Sequence, residues 1–149
     1  MILNEKFSLR LIGRNEDDLK VISAYLQDSI VLIKDIVFLK KNRSFIMIAS
    51  RFMWEDAEKG FFRKNKRTRC AVKIEEVIKV KSKNINQKNK DIPLECLAIK
   101  SRLKSDNCFE ISFFFAGGSI ITIDSETIEI VMNDLGKSWN VKHTPKHKI

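Results

Sequence analysis

The sequence predicts an α+β domain: a mostly antiparallel sheet of about eight strands, curled as a barrel or folded as two layers, with one amphipathic helix after the first strand. Three observations lead there. Only the stretch from Asn15 to about Asp28 carries helical periodicity. From Ile30 onward, apolar residues come in short β-branched runs or alternate with polar ones, the period-2 signature of strands. The runs are joined by short polar turns, without the long helical crossovers that parallel pairing needs, and this argues against a doubly wound nucleotide-binding fold. Many strands in a small domain curl or divide into layers, and the helix is left to cover an open face.

Phe7, Leu9 and Leu11 alternate with Ser8 and Arg10 as a half-buried first strand, which Gly13 ends. Asn15 then reads as a helix N-cap, with Asp18 in the capping-box position and Glu16, Asp17 and Asp18 at the positive end of the helix dipole. Leu19, Ile22, Leu26 and Ile30 form the apolar stripe. A helix start accounts for the acidic triplet without any metal or acid–base role. Two short runs, 30–33 and 36–39, flank Lys34-Asp35, and a polar turn at 40–43 leads to a strand over 44–52. Residues 45–49 are apolar without alternation, which predicts a strand covered on both faces.

One alternating strand is expected from Cys70 to Val80, with Cys70, Val72, Ile74, Ile78 and Val80 inward and Glu76 interrupting the row. Residues 82–91, SKNINQKNKD, form a polar low-complexity loop expected to be mobile. A strand follows over 94–101, and then a turn at 104–107. Two apolar strands meet at Ala116-Gly117-Gly118, a hairpin signal because primed turns need positive φ. After Ser125 the inward parity passes to Ile128, Ile130 and Met132, which requires a bulge or a new strand. Asp134-Leu135-Gly136 is a tight stop, and the basic segment 140–149 is expected to be loosely ordered. The length, 149 residues, suits a single domain spanning 1–149.

No apolar run is long enough to span a membrane, and the N-terminus lacks the pattern of a secretory signal. Cys70, Cys96 and Cys108 are odd in number and scattered, as expected of reduced thiols, so the chain reads as soluble and cytoplasmic. His143 and His147, both close to the C-terminus, leave nothing in the body of the chain to complete a zinc site or a nucleophile–base pair. Gly117-Gly118-Ser119 runs into a strand, where a phosphate-binding loop would open a helix. The sequence therefore leans away from an enzyme and implies no cofactor and no metal.

Leu26-Gln27-Asp28, Arg51-Phe52 with Trp54-Glu55, Ala116-Gly117-Gly118, and Asp134-Leu135-Gly136 ahead of Trp139 form an ordered set. In that set the chain resembles, over nearly its whole length, the small alphaproteobacterial proteins catalogued as domain of unknown function 2948. The resemblance implies a bacterial cytosolic protein of this length and no assigned activity.

Two features point to binding. The net charge is +9, and Arg63, Lys64, Lys66, Arg67 and Arg69 put five positive charges within seven residues, just after Phe61 and Phe62. Cations beside aromatic rings suit single-stranded RNA, whose phosphates pair and whose bases stack. A solvated loop over core phenylalanines is the plainer reading, and a coding sequence rich in A and T would supply lysine without function. The other feature is the pair Trp54 and Trp139, each beside polar residues: anchors for a protein partner, or caps on an open sheet end. An ion pair between Arg51 and Glu55 would tie the Trp54 loop down as a corner. The expected function is a non-catalytic binding or adaptor module; alternatives are RNA binding through the basic run and, less favoured, an enzyme with an unrecognised site.

Overall fold

The computed structural model describes residues 9–53, 66–136 and 139–140. The elements run in the order β1 (Arg10–Gly13), α1 (Glu16–Leu26), β2 (Ile30–Leu39), β3 (Ser44–Phe52), β4 (Lys66–Ile74), β5 (Val77–Lys83), β6 (Pro93–Ser105), β7 (Cys108–Phe115), β8 (Ser119–Ser125), β9 (Ile130–Asp134) and β10 (Trp139–Asn140). The class is α+β with a helix after the first strand. Asn15 Oδ1 accepts from the Asp18 N–H at 2.8 Å, and Asp18 Oδ2 accepts from the Arg14 N–H at 2.9 Å. The first bond satisfies a first-turn donor and the second ties the residue before the cap to the helix, while Leu19, Ile22 and Leu26 carry the buried stripe. The helix stops at Leu26 because Asp28 turns left-handed (φ 65°) and gives its N–H to the Cys96 carbonyl at 2.8 Å.

All strand pairs are antiparallel, in the order β1-β9-β4-β3-β2-β6-β7-β8-β5, with β10 on β4 beyond the end of β9. β1 and β5 end this path and are not paired to each other, so the sheet is open and the barrel alternative fails. It is bent instead. β3 and β7 have two strands between them, which places them about 14 Å apart in a flat sheet. Yet the Phe45 and Phe113 rings, both fully buried, sit 6.1 Å apart between centroids. The halves β1-β9-β4-β3-β2 and β6-β7-β8-β5 therefore face each other, and α1 lies on the concave side, packed chiefly on β6. One hydrophobic cluster joins the helix stripe to the inward rows of both halves.

Three expectations change. The strand anticipated from Cys70 to Val80 is two strands, because Glu76 adopts φ 56° and turns the chain from β4, inside one half, to β5, at the far edge of the other. Ile78 accordingly faces out, 50% exposed. The double cover expected over 45–49 is also absent among the described residues: Phe45, Met47 and Ala49 are buried, but Ile46 and Ile48 are only half-buried. β6 runs on to Ser105, so the turn narrows to Asp106-Asn107. The Gly-Gly hairpin forms as expected, with φ of 82° at Gly117 and 80° at Gly118. Loop residues 84–92 contribute Ile85 and Ile92 to the core margin, and Asn84 Nδ2 bonds the Gly118 carbonyl at 3.0 Å.

Candidate interaction surface

Period-2 alternation sends one row of each strand inward and the other outward. On β3 the inward row is Phe45, Met47, Ala49 and Arg51; on β9 it is Ile130, Met132 and Asp134. The last inward position of each strand is thus charged, and the two meet. Arg51 Nε donates to Asp134 Oδ1 and Nη2 to Oδ2, both at 2.9 Å, in a bidentate pair that is almost wholly buried. Asp134 Oδ2 also accepts from the Leu9 N–H at 3.0 Å. The Arg51 guanidinium lies 5.7 Å from the Tyr25 ring centroid and gives Nη1 to the Phe52 carbonyl at 3.3 Å. A buried pair of this kind persists only with its remaining hydrogen bonds made, as they are here. Glu55, the partner anticipated from the sequence, lies outside the described residues.

The sequence-predicted basic run divides. Arg67 Nη1 donates to the carbonyls of Ser50 (2.9 Å) and Asp28 (3.2 Å), so this arginine fastens β4 to β3 and to the helix exit. Burial lowers its pKa from the ordinary value, against the opposing pull of Asp28 and Glu95. Arg69, two residues on, is exposed, and among the described residues it has no ion-pair partner. Lys66 is described by its backbone alone, and Arg63, Lys64 and Trp54 lie outside the described residues. The backbone of Trp139 pairs with Arg67 and that of Asn140 with Lys66. Phe52 pairs with Arg67 from the other side. The structure thus brings two separate sequence candidates, the basic run and Trp139, to one sheet margin.

The outer face of the first half was not anticipated. Ile12, Val131, Lys73, Ile46 and Val37 are register neighbours across β1, β9, β4, β3 and β2. A second line holds Arg10, Asn133, Ala71 and Ile48. Ile12, Val37 and Leu39 are 40–45% exposed. Among the described residues no element packs over this face, since α1 lies on the other side. Lys73 stands on the central strand β4, between Ile12 and Val131 on one side and Ile46 and Val37 on the other, and Arg10 and Arg69 are exposed on the same face. Lys73 is held by Glu75 at 2.9 Å, and hydrogen bonds from Lys73 and then Ser44 lower the Glu75 pKa. The unalternating stretch 45–49 was the sequence signal for this surface, but it reads equally as a doubly buried strand.

Cys70 and Cys96 are fully buried, and burial pushes both thiols up to about 12, so neither is a thiolate at neutral pH. Arg51 and Asp134 are spent on each other. Among the described residues no group of three or more metal-ligating side chains converges, and no helix is long and apolar enough to cross a membrane.

Among curated proteins none matches the chain. A solved structure, the crystal structure of an uncharacterized protein from Neisseria gonorrhoeae, aligns over 82% of this chain and 96% of that one, at 13% identity and a TM-score of 0.37. The sequence profile of the family described as "Protein of unknown function (DUF2948)" matches residues 9–147, nearly the whole chain, and the protein belongs to that family.

Proposed function

We propose that the protein is a non-catalytic binding module whose outer face, β1-β9-β4-β3-β2, docks a protein partner that presents both apolar and acidic side chains. One observation carries this reading: the row Ile12, Val131, Lys73, Ile46 and Val37 crosses five strands, about 19 Å at the usual strand spacing, and no described element packs over it. Exposed apolar side chains gathered on one sheet face mark an interaction site more often than a single scattered leucine does. Exposed Arg10 and Arg69 on this face select an acidic partner by charge complementarity.

Selection from a peptide-display library on the native protein is expected to return sequences that mix apolar and acidic residues. Their affinity should fall at least about tenfold for Val37→Asp and Arg69→Glu, the loss expected on removing an interface anchor. Selected ligands that bind both variants as tightly as the native protein would sink the reading.

The pairing of Trp139 with Arg67 favours a second reading, single-stranded RNA along the β4–β10 margin. Its test changes Arg63, Lys64, Lys66 and Arg69 to Ser and keeps Arg67, whose removal would unfasten the sheet. Oligouridine anisotropy should then lose a log–log salt slope of about −3, corresponding to four contacts with a single strand. Equal binding by both proteins, or by neither, removes RNA from consideration.

A further inference from the structure

β6 has two unlike margins. On one side β7 pairs with it from Cys96 to Ser105. On the other, β2 pairs only with residues 93–95 and then departs. Cys96 is still served there, giving its N–H to the Ser29 carbonyl and its carbonyl to the Asp28 N–H, both at 2.8 Å. A bulge at Leu97 follows, and the Ile99 N–H then bonds Ser23 Oγ of α1 at 2.9 Å. Backbone groups in a strand point alternately to its two neighbours. Since Ile99 points away from β7, so do Ser101 and Leu103. Among the described residues no backbone hydrogen bond reaches Ser101 or Leu103 on that side.

The open margin adjoins a groove of about 320 Å³ between α1 and β6, lined by Glu16, Leu19, Lys20, Ser23, Ile99 and Ser101 among others, so the acidic residues of an occupant belong on the Lys100 side, away from Glu16. Register gives Leu103 the parity of buried Ile99, paired with Phe109 as Ile99 is with Phe113, yet Leu103 is 63% exposed. An inward-row leucine left open beside unpaired backbone is the chemistry that an added strand completes. The opposite row carries exposed Lys100, Arg102 and Lys104; Arg102 donates to Glu110 at 2.8 Å and Lys104 to Asp124 at 2.9 Å, while each keeps further N–H donors.

That cationic row decides the occupant. In an antiparallel pair between two copies centred on Ser101, Lys100 of each copy would face Arg102 of the other, and like charges directly opposed destabilise a strand pair. We infer that the β6 margin, from Ile99 to Leu103, takes an extended peptide as an additional strand. The peptide alternates acidic residues toward Lys100 and Arg102 with apolar residues over Leu103. This site is separate from the outer face proposed above.

The experiment titrates a fluorescein-labelled octapeptide of alternating aspartate and valine against the full chain, with a block-ordered octapeptide of the same composition as control. The alternating peptide should bind and the control should bind at least about tenfold more weakly. Ser101→Pro removes one open N–H that the fold does not use, and edge strands tolerate proline. It should weaken the alternating peptide at least about tenfold, the scale of one to two main-chain hydrogen bonds, without moving the unfolding midpoint. Leu103→Asp gives the same readout should Ser101→Pro fail to fold. Val37→Asp, on the outer face, should leave this peptide's affinity unchanged. Equal binding of the two peptides, unchanged affinity in both β6 variants, no binding below millimolar, or a dimer dissolved by Ser101→Pro each overturns the inference.

Discussion

Arg51 and Asp134, 83 residues apart in sequence, show what a single buried side chain commits a fold to. Removing either partner leaves the other as an uncompensated charge in the core. Arg51→Met or Asp134→Leu alone should cost about 3–5 kcal/mol, whereas changing both together should cost much less. Urea unfolding of the three variants checks this, and equal costs for single and double variants would refute it. The thiols make a pH prediction. Cysteine ionises near 9.0 in an unfolded chain, while Cys70 and Cys96 are pushed up to about 12 in the fold by burial. Above pH 9 the unfolded chain therefore sheds protons that the folded one keeps. Stability from this source is full below about pH 9 and drains away as pH rises toward 12. A midpoint that stays level from pH 8.5 to 10.5 would contradict it. Iodoacetamide should label half-buried Cys108 well before the other two.

At the scale of elements, α1 is only 11 residues long, too short to persist alone, so its start and its packed stripe hold it together. Asn15→Ala should cost about 1 kcal/mol, measured by thermal unfolding, because the Asp18 N–H loses its acceptor. The β7–β8 hairpin depends on two glycines with φ near +80°, where a side chain is strained. Gly117→Ala should cost about 1 kcal/mol even though no atom lies within 4 Å of the added carbon. A neutral result would mean that the turn rearranges. Both signals stand in the local sequence, since a cap and a turn are settled by neighbouring residues. The division of β4 from β5 was not legible in that way. Glu76 looks like one polar flaw in an alternating strand, and only the separate partners of the two segments, β3 and β9 against β8, show it to be a corner.

Across the whole molecule, the bend that brings Phe45 onto Phe113 leaves one half of the sheet with an inner face in the core and an outer face that no described element covers. The proposed partner site follows from that shape, since the same apolar residues under a second layer would be core. Val37→Asp should therefore be tolerated in folding, within about 0.5 kcal/mol, as expected for a surface substitution. Ile46→Asp, on the half-buried position beside it, should cost more. Comparable large losses for both would show that the face is covered. The candidate site was legible in part. Arg69 and Trp139 stand out by composition, whereas Arg10, Ile12 and Val37 become neighbours only through pairing between segments far apart in sequence.

The helix and its cap, the strand-rich remainder, the glycine turn and the family to which the chain belongs can all be read from the linear chain. Each of these rests on local periodicity or on residues close together in the chain, where backbone stereochemistry acts directly. Only the assembled fold shows that the sheet is open and bent, that Arg51 is paired with Asp134, that Arg67 fastens the fold while Arg69 is exposed, and that no described backbone group pairs with Ser101 and Leu103 on the outer margin of β6. Those outcomes depend on which strands become neighbours. Strand order is set by the burial and hydrogen bonding of the whole chain at once, and no local window of the sequence contains it.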